Sequence, residues 1–325
     1  MRIAILGAGA MGSLFGARLT LAGEEVEMVE VSPAQIEAIR TRGLRLETDE
    51  ADRTVRVKIA EAHAVSGACE LVIVLTKGMH TRSAIRNAAH LIGPHTFVLT
   101  VQNGLGNAET IAETVAADRV LVGMTTWPAD LRAPGHVASH GAGEIRIWTA
   151  SRRADGAVGG FAAVLDAAGL NCRCDPHVEI AIWEKVAFNA ALNAICAATG
   201  LTVGSVGDSD AGRRLADAVV SETLAVATAR GLDVSKQRVT QALRHAFTAH
   251  RDHKPSMLQD VLAGRQTEID WINGAVVRGG EAAGLTVATT QVLADLVRMV
   301  EDHHRPMAPG AAPSADHAER RDGGA

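Results

Sequence analysis

Met1-Arg2-Ile3-Ala4-Ile5-Leu6-Gly7-Ala8-Gly9-Ala10-Met11-Gly12 opens the chain, a short apolar, β-rich run that passes straight into G-x-G-x-x-G. An Ala/Leu-rich stretch up to Ala22 reads as helix, Gly23 ends it, and Val26 to Val31 alternates like a second strand. Strand, glycine loop, helix and strand is the order in which a parallel sheet holds a dinucleotide. Gly7 permits the tight turn, Gly9 lets a pyrophosphate approach the backbone, and Gly12 lets helix and strand pack closely. The anion then meets the free N–H groups and the positive dipole end at the helix N-terminus. Gly7, Ala8, Gly9, Ala10, Met11 and Gly12 are therefore candidate cofactor contacts.

The end of the second strand should choose between the two nicotinamide cofactors. Glu30 lies there, where a carboxylate can accept from the ribose hydroxyls of NAD. NADP would want an arginine for its 2′-phosphate, and Val31-Ser32-Pro33 supplies none; Arg40 and Arg42 read as surface residues of the next helix. Leu71 to Leu75 is a continuous apolar run of the kind a parallel sheet buries on both faces, and it ends in Thr76-Lys77-Gly78. Thr96 to Val101 repeats the pattern and ends in Gln102-Asn103-Gly104. Ligands of open α/β sheets bind outside the carboxyl ends of the strands, which makes Lys77 and Asn103 candidates for cofactor or substrate contact. Val120 to Thr126 reads as another strand, Trp127 to Gly143 as loop, and Glu144 to Thr149 as a strand at the sheet edge. His136 and His140 have no carboxylate or thiol at ligand spacing and read as loop histidines, so no metal site is expected.

Composition narrows the classes. Of 325 residues, 47% are hydrophobic and 21% charged, with a net charge of −5, so no broad basic surface is offered to nucleic acid. The four cysteines read as free thiols; the Cys172-x-Cys174 pair lacks the second half of a structural zinc site. No signal-peptide pattern and no uninterrupted apolar run of ~18 residues occurs, from which a soluble, cytoplasmic protein without membrane partners is expected. Tyrosine is absent, which removes any tyrosine acid.

From about Glu179 the strand signal disappears. Helices are expected near 179–199, 209–230, 235–250, 257–264, 268–283 and 288–304, and Asp175-Pro176 makes the turn between the two textures. The organisation read from this is residues 1–175 as an α/β domain, 176–305 as a helical domain and 306–325 as a disordered tail. In Trp183-Glu184-Lys185-Val186-Ala187-Phe188-Asn189-Ala190-Ala191-Leu192-Asn193, Lys185, Asn189 and Asn193 recur at helical spacing. One ammonium and two amides on an otherwise apolar helix are costly unless they face a wet cleft or a ligand. Further on, Thr267 can cap a helix beginning at Glu268, which makes Glu268 either a structural carboxylate or the partner that Lys185 needs.

Taken together, G-A-G-A-M-G at 7–12, Lys77, Q-N-G-L-G at 102–106, W-E-K-V-A-F-N-A-A-L-N at 183–193 and S-M-L-Q-D…R-Q-T-E-I-D-W-I-N-G at 256–274 resemble the ketopantoate reductase (2-dehydropantoate 2-reductase) family over residues 1 to about 300. The resemblance implies a Rossmann dinucleotide-binding domain followed by an all-helical domain, with the active site in the cleft between them. It implies reduction of a 2-keto acid, ketopantoate, to D-pantoate for pantothenate biosynthesis, in a possible homodimer. By position it makes Lys185 the proton donor and Glu268 the acidic residue beside the nicotinamide ribose and the substrate hydroxyl. It places Asn103, Asn189, Asn193 and Ser256 on the substrate, and Gly7 to Gly12, Lys77, Asn103 and Ala129 on the cofactor. Two positions depart from the family's pattern. Val31 stands where NADPH-dependent members carry arginine, and Val203 where some carry a further substrate asparagine. Family habit favours NADP, whereas Glu30 without an adjacent arginine favours NAD. The second departure brings in a D-2-hydroxy-acid dehydrogenase acting on another, aromatic or branched, 2-keto acid. Desolvation in such a cleft lowers the Lys185 pKa and a nearby Glu268 raises it, so their balance is a matter of geometry.

Overall fold

The computed structural model describes residues 1–153 and 156–304, so the expected tail at 306–325 lies outside the described residues. Among the described residues twelve strands come in chain order: β1 Arg2–Leu6, β2 Glu25–Val29, β3 Leu44–Thr48, β4 Asp52–Val55, β5 Lys58–Ala60, β6 Leu71–Val74, β7 Phe97–Thr100, β8 Val120–Thr125, β9 Asp130–Ala133, β10 His136–Ser139, β11 Ile145–Thr149 and β12 Cys172–Cys174. Eight of them form one sheet in the order β12-β11-β8-β7-β6-β1-β2-β5. From β5 to β8 every pairing is parallel, and β1 sits between β2 and β6, where the order of strands reverses. That reversal opens the crevice in which doubly wound sheets bind ligands, and this is the Rossmann arrangement the glycine loop implied. Ile3, Ala4, Ile5, Leu71, Val72, Ile73 and Val74 are all fully buried, as strands covered on both faces must be.

Two expectations for this half are corrected. The segment 127–143 is not simply loop, because β9 and β10 turn about Pro134-Gly135 and join β3 and β4 in a second sheet of order β4-β3-β10-β9. Their signal is weak because β9 is mostly exposed and offers no alternation, and the partners come from ninety residues upstream in sequence order. Gly135 takes φ +76 in this turn, a conformation open to glycine. The edge expected at 144–149 lies further out: β11 is antiparallel to β8 and itself carries β12 as a parallel outer strand. The same second sheet brings carboxylates to the two histidines, with His136 Nε2 2.9 Å from Glu47 Oε2 and His140 Nδ1 2.9 Å from Asp49 Oδ1. Among the described residues no group of three or more ligands is arranged to hold a metal. All four cysteines are free.

The helical part is built around the helix Val178–Thr199, which ends on Gly200 in the left-handed region. By length and composition this helix, with a mean hydropathy of 1.2, could cross a membrane, but 67% of that window is buried inside the protein, as befits a core helix. Around it stand Asp210–Ala229, Lys236–Ala249, Ser256–Leu262, Asn273–Ala283 and Ala288–His304, together with a short helix Val203–Asp208 that the sequence reading did not include. The helix expected at 268–283 starts later, at Asn273. Thr267 Oγ1 does accept from the Ile269 amide at 3.1 Å, yet the Trp271 and Ile272 amides both turn back onto the Glu268 carbonyl at 3.0 Å. Docking overrides the cap here: the Leu105 amide donates to the Trp271 carbonyl at 2.8 Å, and the Trp271 ring lies against Gly78.

Gly12 has the least room of the three loop glycines. A β-carbon there would stand 1.8 Å from the Gly7 carbonyl oxygen, backbone against backbone. Gly12→Ala is therefore expected to cost at least about 3 kcal/mol, read as a fall in the midpoint of thermal unfolding and a matching loss of dinucleotide affinity.

Candidate active site in the cleft between sheet and helices

The central helix is apolar nearly all round, and its one polar line is Lys185, Asn189 and Asn193. Asn189 is 8% and Asn193 6% exposed, and neither side-chain amide bonds to any other described residue. Their polar atoms still reach solvent, so the two amides on this buried helix mark the wall of a wet cleft, open to the bonds of a ligand. Lys185 reaches out of its helix and donates from Nζ to the carbonyl of Thr125, at the end of β8, at 2.7 Å. The helix-borne ammonium is thereby fixed against the carboxyl end of the sheet. Burial pulls the Lys185 pKa down from its ordinary 10.5 to about 8, against the nearby Glu268 carboxylate, which raises it. Of the two opposed effects, desolvation wins.

Glu268 sits in the turn that precedes the helix Asn273–Ala283 and faces the strand-end loops. Its Oε1 accepts from the Gly78 amide at 3.1 Å, and the Asn103 side chain also donates to it. Burial raises its pKa; the Gly78 bond, the Lys77 charge and the Asn103 bond oppose that shift, while Asp260 adds to it. Lys77 bridges the two halves of the molecule. Its Nζ lies 2.6 Å from Asp260 Oδ2 and donates to the Gln266 carbonyl at 3.0 Å. Asp260 is buried and takes Arg265 Nε on its other oxygen at 3.0 Å. Lys77, Asn103, Lys185 and Glu268 are thus brought to one cleft from four separate stretches of chain.

The glycine loop lies against the end of β6, next to Lys77 and Gly78 in the chain. Gly7 has φ +96, and a β-carbon there would meet the Thr76 amide nitrogen at 2.9 Å, so only glycine lets β1 turn so close to β6. A β-carbon on Gly9, by contrast, would meet nothing within 4 Å. Gly9 also begins the helix Ala10–Leu21 with no side-chain cap, which leaves the first amides of that helix to another acceptor. An open approach over Gly9 onto uncapped amides fits a pyrophosphate. Glu30 stands beside this loop: its Oε2 accepts from the Ala8 amide at 2.6 Å, and its Oε1 from the amides of Val31 and Ser32 at 2.8 and 2.9 Å. Val31 is 79% exposed and brings no charge. Arg40 and Arg42 point elsewhere, to the carbonyls of Ile59 and Pro134.

The remaining candidates lie at the margins. Ala129 is half-buried against the sheet's core, just past the end of β8. Ser256 is exposed at the first residue of its helix, one turn before Asp260. Val203 is 1% exposed, packed in the helical core, so its side chain offers the cleft no polar group. Sequence reasoning missed the Thr125 carbonyl, the Gly78 amide and the bridging role of Asp260. The first two are backbone groups with no signature of their own; Asp260 lay within a stretch already singled out, but its lysine is far away in sequence.

A family model described as "Ketopantoate reductase PanE/ApbA" matches residues 3–151, and one described as "Ketopantoate reductase PanE/ApbA C terminal" matches residues 177–301. A 2-dehydropantoate 2-reductase of Halobacterium salinarum is 34% identical over 302 residues, 93% of this chain and 99% of that protein. Among solved structures, a ternary complex of D-mandelate dehydrogenase with NADH and anilino(oxo)acetate superposes with a TM-score of 0.89 at 29% identity, covering 94% of this chain and 99% of the other. A PanE/ApbA family ketopantoate reductase from Ralstonia eutropha JMP134 gives 0.86 at 33% identity, with 94% and 99% covered.

The lowered pKa of Lys185 has a consequence for stability. A lysine that binds its proton less tightly when folded destabilises the fold at every pH below its folded pKa, and that penalty fades as pH rises from about 8 toward 10.5. Lys185→Met is expected to raise the unfolding temperature of the ligand-free protein, by more at pH 6 than at pH 9.5, in paired thermal melts.

Proposed function

This chain belongs to the ketopantoate reductase family, and from that premise we propose that it reduces a 2-keto acid to the D-2-hydroxy acid with a nicotinamide cofactor, in the cleft between an α/β domain at 1–175 and a helical domain at 176–305. One observation carries the reading: Lys185, with its pKa drawn down to about 8, shares a helix face with two buried amides that have no protein partner, opposite an open glycine loop. The bound nicotinamide supplies a hydride. Gly7 to Gly12 hold the pyrophosphate on the uncapped helix end, and Glu30 takes the adenosine ribose.

Lys185 donates its proton to the carbonyl oxygen as the carbonyl carbon is reduced, so negative charge does not build up on that oxygen. A donor with a pKa near 8 is matched to work at neutral pH, charged in the resting site and readily relieved of its proton. Asn189, Asn193 and Ser256 bind the carboxylate and hydroxyl end of the substrate. Neutral donors suit this work, because they leave Lys185 as the single proton source. Asn103 and the Gly78 amide orient Glu268, whose charge favours the Lys185 ammonium and whose carboxylate takes the nicotinamide ribose. Lys77 keeps the walls together through Asp260 and the Gln266 carbonyl.

Ketopantoate is the first substrate to assign, since relatives named 2-dehydropantoate 2-reductase match over 93% of the chain. A second reading, reduction of an aromatic or branched 2-keto acid, is favoured by the likeness to a D-mandelate dehydrogenase and by the apolar Val203 buried where some relatives offer an asparagine. NADH is the cofactor to expect, because a 2′-phosphate at the ribose would approach the Glu30 carboxylate and find no cation at Val31. The helical domain is the surface through which a homodimer would form.

Steady-state kinetics with NADH and NADPH over ketopantoate, phenylglyoxylate and 2-ketoisovalerate test the whole reading. kcat/KM is expected to be higher with NADH than with NADPH for every keto acid; a preference for NADPH would mean that Glu30 points away from the ribose. Lys185→Ala should lower kcat by about 10²–10⁴ and leave cofactor affinity unchanged, as loss of a general acid does. In the parent enzyme the rate of reduction should be level at low pH and fall above about pH 8 as Lys185 loses its proton. Since Glu268 holds that pKa up, Glu268→Gln should move the fall to lower pH; a shift upward, or none, would separate the two residues.

A further inference from the structure

A second cavity, of about 560 Å³, lies between the sheet and the helical part outside the cleft just described. None of Lys185, Asn189, Asn193, Ser256 or Glu268 lines it, and neither does the glycine loop. Its volume is within the usual range of small-molecule sites, about 300–1,000 Å³. The apolar lining comes from both halves of the molecule, with Leu105 and Val122 on the sheet side and Ile182 and Trp183 on the central helix. Two guanidiniums enter it. Arg230 lies over the Trp183 ring at 5.7 Å from its centroid, and Arg278 projects from the helix Asn273–Ala283, with one nitrogen on the Asp270 carbonyl. Neither has a carboxylate partner among the described residues. Of the two acidic residues in the lining, Glu179 is already held by Arg152, and Glu109 stands alone on the first turn of its helix. The balance is two free cations against one free anion, above an aromatic and aliphatic floor.

We infer that this cavity is a second binding site, taking a small amphipathic organic anion: a carboxylate or sulfonate on the guanidiniums and a flat or branched apolar body on Trp183, Ile182 and Leu105. Arg guanidinium pairs with such anions through parallel N–H donors, and its stacking on Trp183 pre-orients it. The site touches the reaction machinery mechanically. Ile182 and Trp183 lie on the turn before Lys185, and Leu105 is the residue whose amide holds the Trp271 carbonyl in the Glu268 turn. A ligand wedged there bears on both walls of the cleft without entering it.

The probe is 8-anilinonaphthalene-1-sulfonate, titrated by fluorescence into the full chain with saturating NAD⁺ present, so that the glycine-loop site is filled. Arg230→Ala removes the stacked cation, and Ala282→Phe puts a ring into the lining; both should melt like the parent. The expected result is saturable binding of one equivalent that persists with NAD⁺ and weakens at least about tenfold in each variant. Loss of the signal on adding NAD⁺, or affinity unchanged in either variant, would overturn the assignment. Because the readout is binding, it stands or falls separately from the keto-acid reductase activity.

Discussion

The ammonium of Lys185, held at 2.7 Å by the Thr125 carbonyl while its own helix is buried, is the contact on which the arrangement of this molecule turns. A charge in such a place is tolerated only if both halves of the protein close around it. The sheet contributes a carbonyl at the end of β8, and the helical part contributes the lysine itself and the Glu268 carboxylate, whose charge acts on it. The other bridging bonds follow the same division. Lys77 and Gly78 from the loop after β6 take Asp260, the Gln266 carbonyl and Glu268, and Leu105 from the loop after β7 takes the Trp271 carbonyl. The segment 260–271 is in effect a strap lying across the carboxyl ends of two strands.

That geometry sets function against stability. A pKa brought down to about 8 is free energy withheld from folding, and the proposed proton transfer is what such a lysine would serve. That cost falls on one helix face, while the rest of the helix is packed with Val186, Ala187, Ala190, Ala191, Ala194 and Ile195, all nearly or fully buried. The site is expensive, but it is set into the most deeply buried element of the helical half, and that rigidity is what allows an ammonium to be aimed.

Much of this was legible in the residues because it is local. The first twelve residues specify a strand, a turn needing glycine and a helix, and Gly7 and Gly12 prove to be necessary for the steric reasons their positions suggest, while the space over Gly9 is open. Lys185, Asn189 and Asn193 could be grouped because helical periodicity alone puts them together. Where the reading failed, the cause was distant pairing or docking. β9 and β10 lack their own apolar pattern and form strands because β3 and β4 are there to receive them. The helix expected from Glu268 starts at Asn273 because Trp271 is pressed against Gly78 and Gly104, a contact no local cap can foresee. The bridge from Lys77 to Asp260 was hidden likewise, both residues being noticed and neither assigned to the other.

The most direct test is a crystal structure of the chain with NADH and oxamate, an unreactive mimic of a 2-keto acid. The account predicts the oxamate carbonyl oxygen within hydrogen-bonding distance of Lys185 Nζ, with its carboxylate on the amides of Asn189 and Asn193 and the dinucleotide over Gly9. Oxamate bound with its carboxylate on Lys185 and its carbonyl turned away, or bound outside this cleft, would contradict it.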